Sequence, residues 1–190
     1  NNRGVSIMFI NPKQAIGEGW LRNVDEKFIQ PNAIDIPVTG LYEVDPTSIF
    51  ELYTKKKQHR ERTKVELQND GPPAGVPIPD MWAIGNGVYD WTSEVYIEMP
   101  EGYVGWLHTR STLNRNGLII HSGLYDSGFK GHVCGMLYNN GFKAKLQPGA
   151  CFAQFIIASS DGEGLYKGGY NVEEGKKPWF DASITDQHDR

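Results

Sequence analysis

The sequence predicts an all-β chain, a barrel or sandwich of short strands with a single short helix near its N-terminus. Three observations carry this. Apolar and β-branched runs are brief and recur at close spacing, glycine, proline and asparagine punctuate them, and one helix-start signal, Asn11-Pro12, stands ahead of them all. No internal repeat or heptad competes with the pattern.

The elements follow in order. Asn11 can cap a helix, because its side-chain oxygen accepts a first-turn N–H, and Pro12 suits the first helical position, where its missing N–H leaves nothing unpaired. That helix should end near Gly19. Strands are expected at residues 33–38, 95–98, 118–121, 133–138 and 151–158, each an apolar run bounded by turn residues. Residues 53–66 mix Lys55, Lys56, Lys57, Arg60, Arg62 and Lys64 with Glu61 and Glu66. This segment is read either as a solvated strand pair or loop face, or as a surface that steers phosphates or docks a partner. Residues 70–79, rich in glycine and proline, form a connection, and Trp82 and Trp91 should plug a core.

Composition bounds the function. A chain of 190 residues with 39% hydrophobic and 22% charged content can bury one core, so a single domain is expected over residues 1–170. Residues 171–190 form a C-terminal tail, for which mobility is the default expectation. A net charge of −4 and a pI near 5.7 provide no electrostatic footprint for a nucleic-acid polymer, which favours a free nucleotide. No apolar run approaches the roughly 18 residues that cross a bilayer, and the first residues lack signal-peptide order, so no membrane partner and a cytoplasmic location are expected. Cys134 and Cys151 read as buried reduced thiols without metal-ligand spacing, which argues against zinc chemistry.

The chemistry concentrates in residues 110–139. Arg110 offers a planar fork of donors that matches phosphate oxygens, and Ser111 and Thr112 add hydroxyls beside it. Asp126 lies between Gly123 and Gly128, where the backbone should turn sharply or approach a ligand. The run Ser122-Gly123-Leu124-Tyr125-Asp126-Ser127-Gly128-Phe129-Lys130-Gly131, with Val133 and Leu137-Tyr138-Asn139, resembles the third motif of the dUTPase family, Gly-Val-Ile-Asp-x-x-Tyr-Arg-Gly. Arg110-Ser111-Thr112-Leu113 resembles its second motif. Pro148-Gly149 with Phe152-Ala153-Gln154-Phe155-Ile156 resembles the fourth, and Ile29-Gln30-Pro31-Asn32-Ala33-Ile34-Asp35-Ile36 is similar to the opening of the dCTP deaminase branch of the same superfamily. The resemblance spans roughly residues 8–170.

The resemblance implies a dUTPase-like distorted β-barrel of jelly-roll type, assembled as a homotrimer in which the first, second and fourth motifs of one subunit face the third motif of its neighbour. The implied activity is Mg²⁺-dependent hydrolysis of dUTP to dUMP and pyrophosphate. Asp126 would orient and deprotonate the attacking water. Arg110, Ser111, Thr112, Gln154 and, from the tail, Lys167 would hold phosphates. Ser122, Gly123 and Leu124 would read the base through their backbone, Phe129 would pack on the sugar, and Asp35 would support Mg²⁺ through water. Each has a plainer alternative: an aspartate in a turn for Asp126, a turn-capping aspartate for Asp35, a structural amide for Gln154.

Departures from the motifs sharpen the choice. Phe129 and Lys130 replace the usual tyrosine and arginine. Met136 stands where deaminating members carry a glutamate, and methionine cannot transfer a proton. The hairpin from His121 to Asp126 matches the dUTPase length and is two residues shorter than the deaminase form, although Arg115 keeps deamination in view. Lys167 and Tyr170 resemble the lysine and tyrosine of the deaminase tail, while the Gly-rich dUTPase arm is absent, so closure by the tail stays open. His121 and His132 read more readily as strand-end histidines than as base contacts. Remaining alternatives are a dCTP deaminase, a pyrophosphatase for dCTP or a modified pyrimidine nucleotide, and a nucleotide-binding regulator without turnover.

Overall fold

Asn11 opens the first element as the sequence predicts. Its Oδ1 accepts the Lys13 N–H at 2.9 Å, Pro12 takes the first position, and α1 runs over Pro12–Gly17 before Gly19 turns the chain with φ +77°. The structure is a computed structural model that describes residues 8–54, 57–69 and 79–176, so most of the expected connection at 70–79 lies outside the described residues.

The strands after α1 are β1 (Leu21–Arg22), β2 (Ile34–Pro37), β3 (Gly40–Val44), β4 (Glu51–Leu52), β5 (Lys57–Gln58), β6 (Arg62–Lys64) and β7 (Leu67–Gln68). They continue with β8 (Met81–Ile84), β9 (Gly87–Glu98), β10 (Tyr103–Thr109), β11 (Leu118–His121), β12 (Lys130–Asn139), β13 (Ala144–Leu146) and β14 (Cys151–Ser159). The largest sheet runs β11-β12-β9-β3-β6 with β1 also on β9, a second runs β10-β14-β2, and a third runs β13-β8-β7. The all-β architecture is therefore the one expected. All five expected strands occur, and that at 95–98 is the end of a much longer one. β9 starts at Gly87 because Tyr89 and Trp91 point inward while Asp90 points the other way, a period-2 pattern that its polar residues disguise.

The two main sheets share one core. Trp91 and Leu41 from the first, and Phe152, Phe155 and Ile36 from the second, are fully buried, and Trp91 meets Phe152 edge-on at 6.3 Å. Gly135 lies opposite Trp91; a Cβ there would stand 2.9 Å from the His121 carbonyl and 3.1 Å from the indole. Trp82, 2% exposed, plugs the same core.

Three details depart from expectation. Residues Ser111–Arg115 form a short helix, α2, behind Arg110. Cys134 and Cys151 are half-buried rather than buried, and burial, reinforced by the nearby Asp35 charge, pushes the Cys151 thiol up to about 11. The charged segment is partly the solvated strand set expected, but Arg62 turns inward onto Asp90.

Residues 165–176 run back along the hairpin between β11 and β12. The Tyr166 N–H donates to Ser127 at 2.7 Å, the Val172 N–H to Lys130 at 2.9 Å, and the Tyr96 hydroxyl to the Val172 carbonyl at 3.0 Å. Arg22 and Glu174 pair at 3.1 Å. Residues 177–190 lie outside the described residues.

Candidate active site

The hairpin of residues 118–139 is hydrogen-bonded to β10 of the second sheet at Ile120, Ser122, Tyr125 and Ser127, and Tyr125 is the backbone pin nearest the motif aspartate. Tyr125 exchanges both backbone hydrogen bonds with Gly105 at 2.9 Å each, and its buried hydroxyl donates to the Cys134 carbonyl at 2.7 Å. Burial, with a smaller push from Cys134, holds this phenol well above its ordinary value, so it serves as a structural donor. Successive side chains of extended backbone alternate. With Tyr125 driven inward, Asp126 emerges on the opposite side, exposed. The turn then closes through the Phe129 N–H to the Asp126 carbonyl at 3.0 Å, with Gly128 at φ +82°, a backbone state suited to glycine.

Two cavities flank this turn. The outer one, about 720 Å³, is lined by Asp126, Ser127, Tyr103, Trp106 and the tail residues Lys167 and Gly168. Neither the Asp126 carboxylate nor the Lys167 ammonium has a hydrogen bond or ion pair among the described residues. The inner cavity, about 400 Å³ and mostly apolar, is walled by Ser122, Gly123, Leu124 and Phe129, floored by Asp90, Thr92, Cys134 and Met136, and covered by Tyr166, Tyr170 and Val172. Phe129 is 9% exposed and meets Tyr125 and Tyr166 edge-on at 5.1 and 5.6 Å.

Several members of this cavity have no distinct signal in the sequence. Asp90 and Thr92 sit in the disguised half of β9. His121 and His132, which the sequence favours as strand-end residues, both line the cavity; His132 also accepts the Gly175 N–H at 3.3 Å. Tyr170 takes a hydrogen bond from Lys57, whose ammonium lies 4.1 Å from its ring centre.

The other three motifs meet elsewhere. Asp35 and Gln154 are directly opposite in the β2–β14 pairing, and Gln154 Nε2 donates to Asp35 Oδ1 at 3.1 Å. Arg110 reaches Asp35 Oδ2 at 3.2 Å and the Cys151 carbonyl at 3.3 Å, and Gln30 adds a donor at 3.3 Å. Asp35, 5% exposed, thus accepts from three side chains and fixes the Arg110 guanidinium beside Ser111 and Thr112, both exposed at the start of α2. None of Asp35, Arg110 and Gln154 lines either cavity. Among the described residues no group of three or more His, Cys, Asp or Glu could by itself hold a metal. With three donors already on Asp35, its oxygens have little capacity left to ligate a metal directly.

Residues 10–160 match the dCTP deaminase-like family model. This chain belongs to the dCTP deaminase-like family. A probable deoxyuridine 5′-triphosphate nucleotidohydrolase of Halobacterium salinarum is 30% identical over 145 residues, covering 76% of this chain and 84% of the relative. A dCTP deaminase of Pyrobaculum islandicum is 35% identical over 88 residues, 46% of this chain and 50% of that enzyme. The crystal structure of a 2′-deoxycytidine 5′-triphosphate deaminase from Agrobacterium tumefaciens superposes with a TM-score of 0.58 at 10% identity, over 78% of this chain and 46% of that one, a likeness of fold. The family is one of enzymes of deoxynucleotide metabolism. Among the described residues no helix is long and apolar enough to cross a membrane.

Proposed function

We propose that this protein hydrolyses pyrimidine deoxynucleoside triphosphates, dUTP included, to the monophosphate and pyrophosphate, and leaves the base intact. The unpartnered Asp126 carboxylate carries this reading. It stands on a pinned turn, shares a cavity with Lys167, and has its acceptor capacity free to orient and deprotonate a water for in-line attack. The inner cavity would take base and deoxyribose, with the backbone of Ser122, Gly123 and Leu124 at the base and Phe129 against the sugar. Its size is within the usual range for small-molecule sites.

Phosphate charge would be neutralised by Arg110, with Ser111, Thr112 and Gln154 near it, and by Lys167 from the tail. Mg²⁺, when bound, would supply further charge neutralisation on the phosphates, with Asp35 facing it through water. Because Arg110, Asp35 and Gln154 line neither hairpin cavity, a complete site would draw them from a neighbouring copy, which accords with a homotrimer. In that arrangement Asp126 and Arg110 act on one nucleotide from different subunits.

Deamination would require a proton carrier at the base, and Met136 cannot be one. His121 and Asp90 flank Met136 in the strand register, so the distinction needs a measurement. The protein would be incubated with each deoxynucleoside triphosphate and Mg²⁺ and the products separated. Pyrophosphate with an unaltered base supports this reading. Ammonia from dCTP, with dUTP or dUMP formed, would overturn it in favour of a deaminase, and tight binding without product would favour a regulator.

A further inference from the structure

The floor of the inner cavity holds a charged group that hydrolysis does not use. Asp90 projects from β9 opposite Met136 of β12, and Met136 in turn is opposite His121 of β11, so the three side chains form one row across adjacent strands. Behind that row, Arg62 of β6 donates through Nε to Asp90 Oδ2. Arg62 does not line the cavity. Asp90 Oδ1 has no hydrogen-bond partner among the described residues. The inward turn of Arg62 from the charged segment 53–66 therefore has a use: it anchors one carboxylate oxygen and leaves the other available in a mostly apolar pocket.

We propose that Asp90 is a specificity-determining residue, which favours pyrimidine bases carrying an exocyclic amino group over their oxo counterparts. The inference rests on the reading that the inner cavity holds the base. A carboxylate is acceptor-only, so its free oxygen is matched by an N–H donor and repelled by a carbonyl oxygen. The cytosine amino group is such a donor, and an aspartate or glutamate accepting from it is an established pairing in base recognition. The uracil oxygen at the same ring position is an acceptor. The apolar walls matter because they remove the water that would otherwise satisfy the mismatch. No chemistry at the base is implied, only selection of which triphosphate enters.

The test is a calorimetric titration of the intact protein with the non-hydrolysable α,β-imido analogues of dCTP and dUTP, in the presence of Mg²⁺. The dCTP analogue should bind at least about tenfold more tightly, equivalent to ~1.4 kcal/mol, and Asp90→Asn should remove most of that ratio. An N4,N4-dimethyl dCTP analogue, which keeps the ring but has no amino N–H, should lose the advantage on the unaltered protein, a comparison that holds even if the variant folds poorly. Equal binding of the dCTP and dUTP analogues, a preference for the uracil form, or a ratio unmoved by both changes overturns the inference. Base selection without hydrolysis of the natural triphosphates would leave the inference standing and remove the hydrolase reading. Hydrolysis without base selection would do the reverse, and no binding of either analogue would remove both.

Discussion

In the cluster of Asp35, Arg110 and Gln154, the central carboxylate accepts from three side chains and is almost wholly buried, whereas along the hairpin Asp126 has no partner among the described residues. Both regions use an aspartate, and the difference lies in what surrounds it. The cluster spends its carboxylate on fixing a guanidinium, so the ligand would meet a positioned cation. The hairpin is fixed by backbone hydrogen bonds and the Tyr125 side chain, so its carboxylate remains free to act on water. Order in the first region comes from side chains; in the second the main chain supplies much of it, with the Tyr125 hydroxyl beside it.

The sharpest way to break this comparison is Asp126→Asn. The amide keeps the shape and loses the base, so turnover should fall by about 10²–10⁴ while nucleotide affinity, measured by titration, changes little. Near-parent turnover would remove Asp126 from the role of base. The backbone pins do not involve its side chain, so the melting curve should be unaffected.

A mixing experiment comes next in size. Asp126→Asn and Arg110→Ala should each be nearly inactive alone. If the two regions complete one another across subunits, co-assembled oligomers of both variants should regain activity, because some sites combine an intact hairpin from one chain with an intact Arg110 from another. No recovery from oligomers shown to be mixed would place both groups in one subunit's site.

A milder change probes the cluster itself. Arg110→Lys keeps the charge and removes the fork that reaches both Asp35 and the Cys151 carbonyl. Loss of a charged hydrogen bond should weaken triphosphate binding by about 1.5–3 kcal/mol, with the free nucleoside unaffected. Equal weakening for both ligands would move Arg110 away from the phosphates.

How much of this was legible in the sequence follows the same division. The α1 cap was readable because Asn11 and Pro12 act within one turn, and strand 118–121 because its apolar run ends in turn residues. Asp35, Arg110 and Gln154 were identifiable singly through their motifs, but their meeting depends on the register of β2 against β14, a pairing between residues 119 positions apart. Asp90 gave no signal, because a polar residue on a long strand looks like a solvent-facing one until the sheet places it over a cavity, and Arg62 was legible only as one cation of a charged segment. The short α2 had too few residues for a periodic pattern to show.

The smallest expected effect tests the hairpin side of the comparison through Tyr125→Phe. The phenol donates to the Cys134 carbonyl at 2.7 Å and accepts its N–H at 3.3 Å, and losing these should cost about 1 kcal/mol near neutral pH. The cost should depend on pH. Burial raises the folded pKa above the ordinary value of 10.0, so as pH rises past that point the unfolded chain releases its proton first. The stability contributed by the neutral phenol is thus complete below about 10 and is lost as pH rises toward the folded value. Phenylalanine has no proton to release, so the gap between parent and variant should narrow in alkali, even though Tyr89 and Tyr96, whose pKa values burial also raises, titrate in both proteins. Urea unfolding at neutral pH and again above the ordinary tyrosine pKa would measure it. A gap that stays constant would mean that the Tyr125 hydroxyl is not shielded as described, and that the pin beside Asp126 is looser than its hydrogen bonds imply.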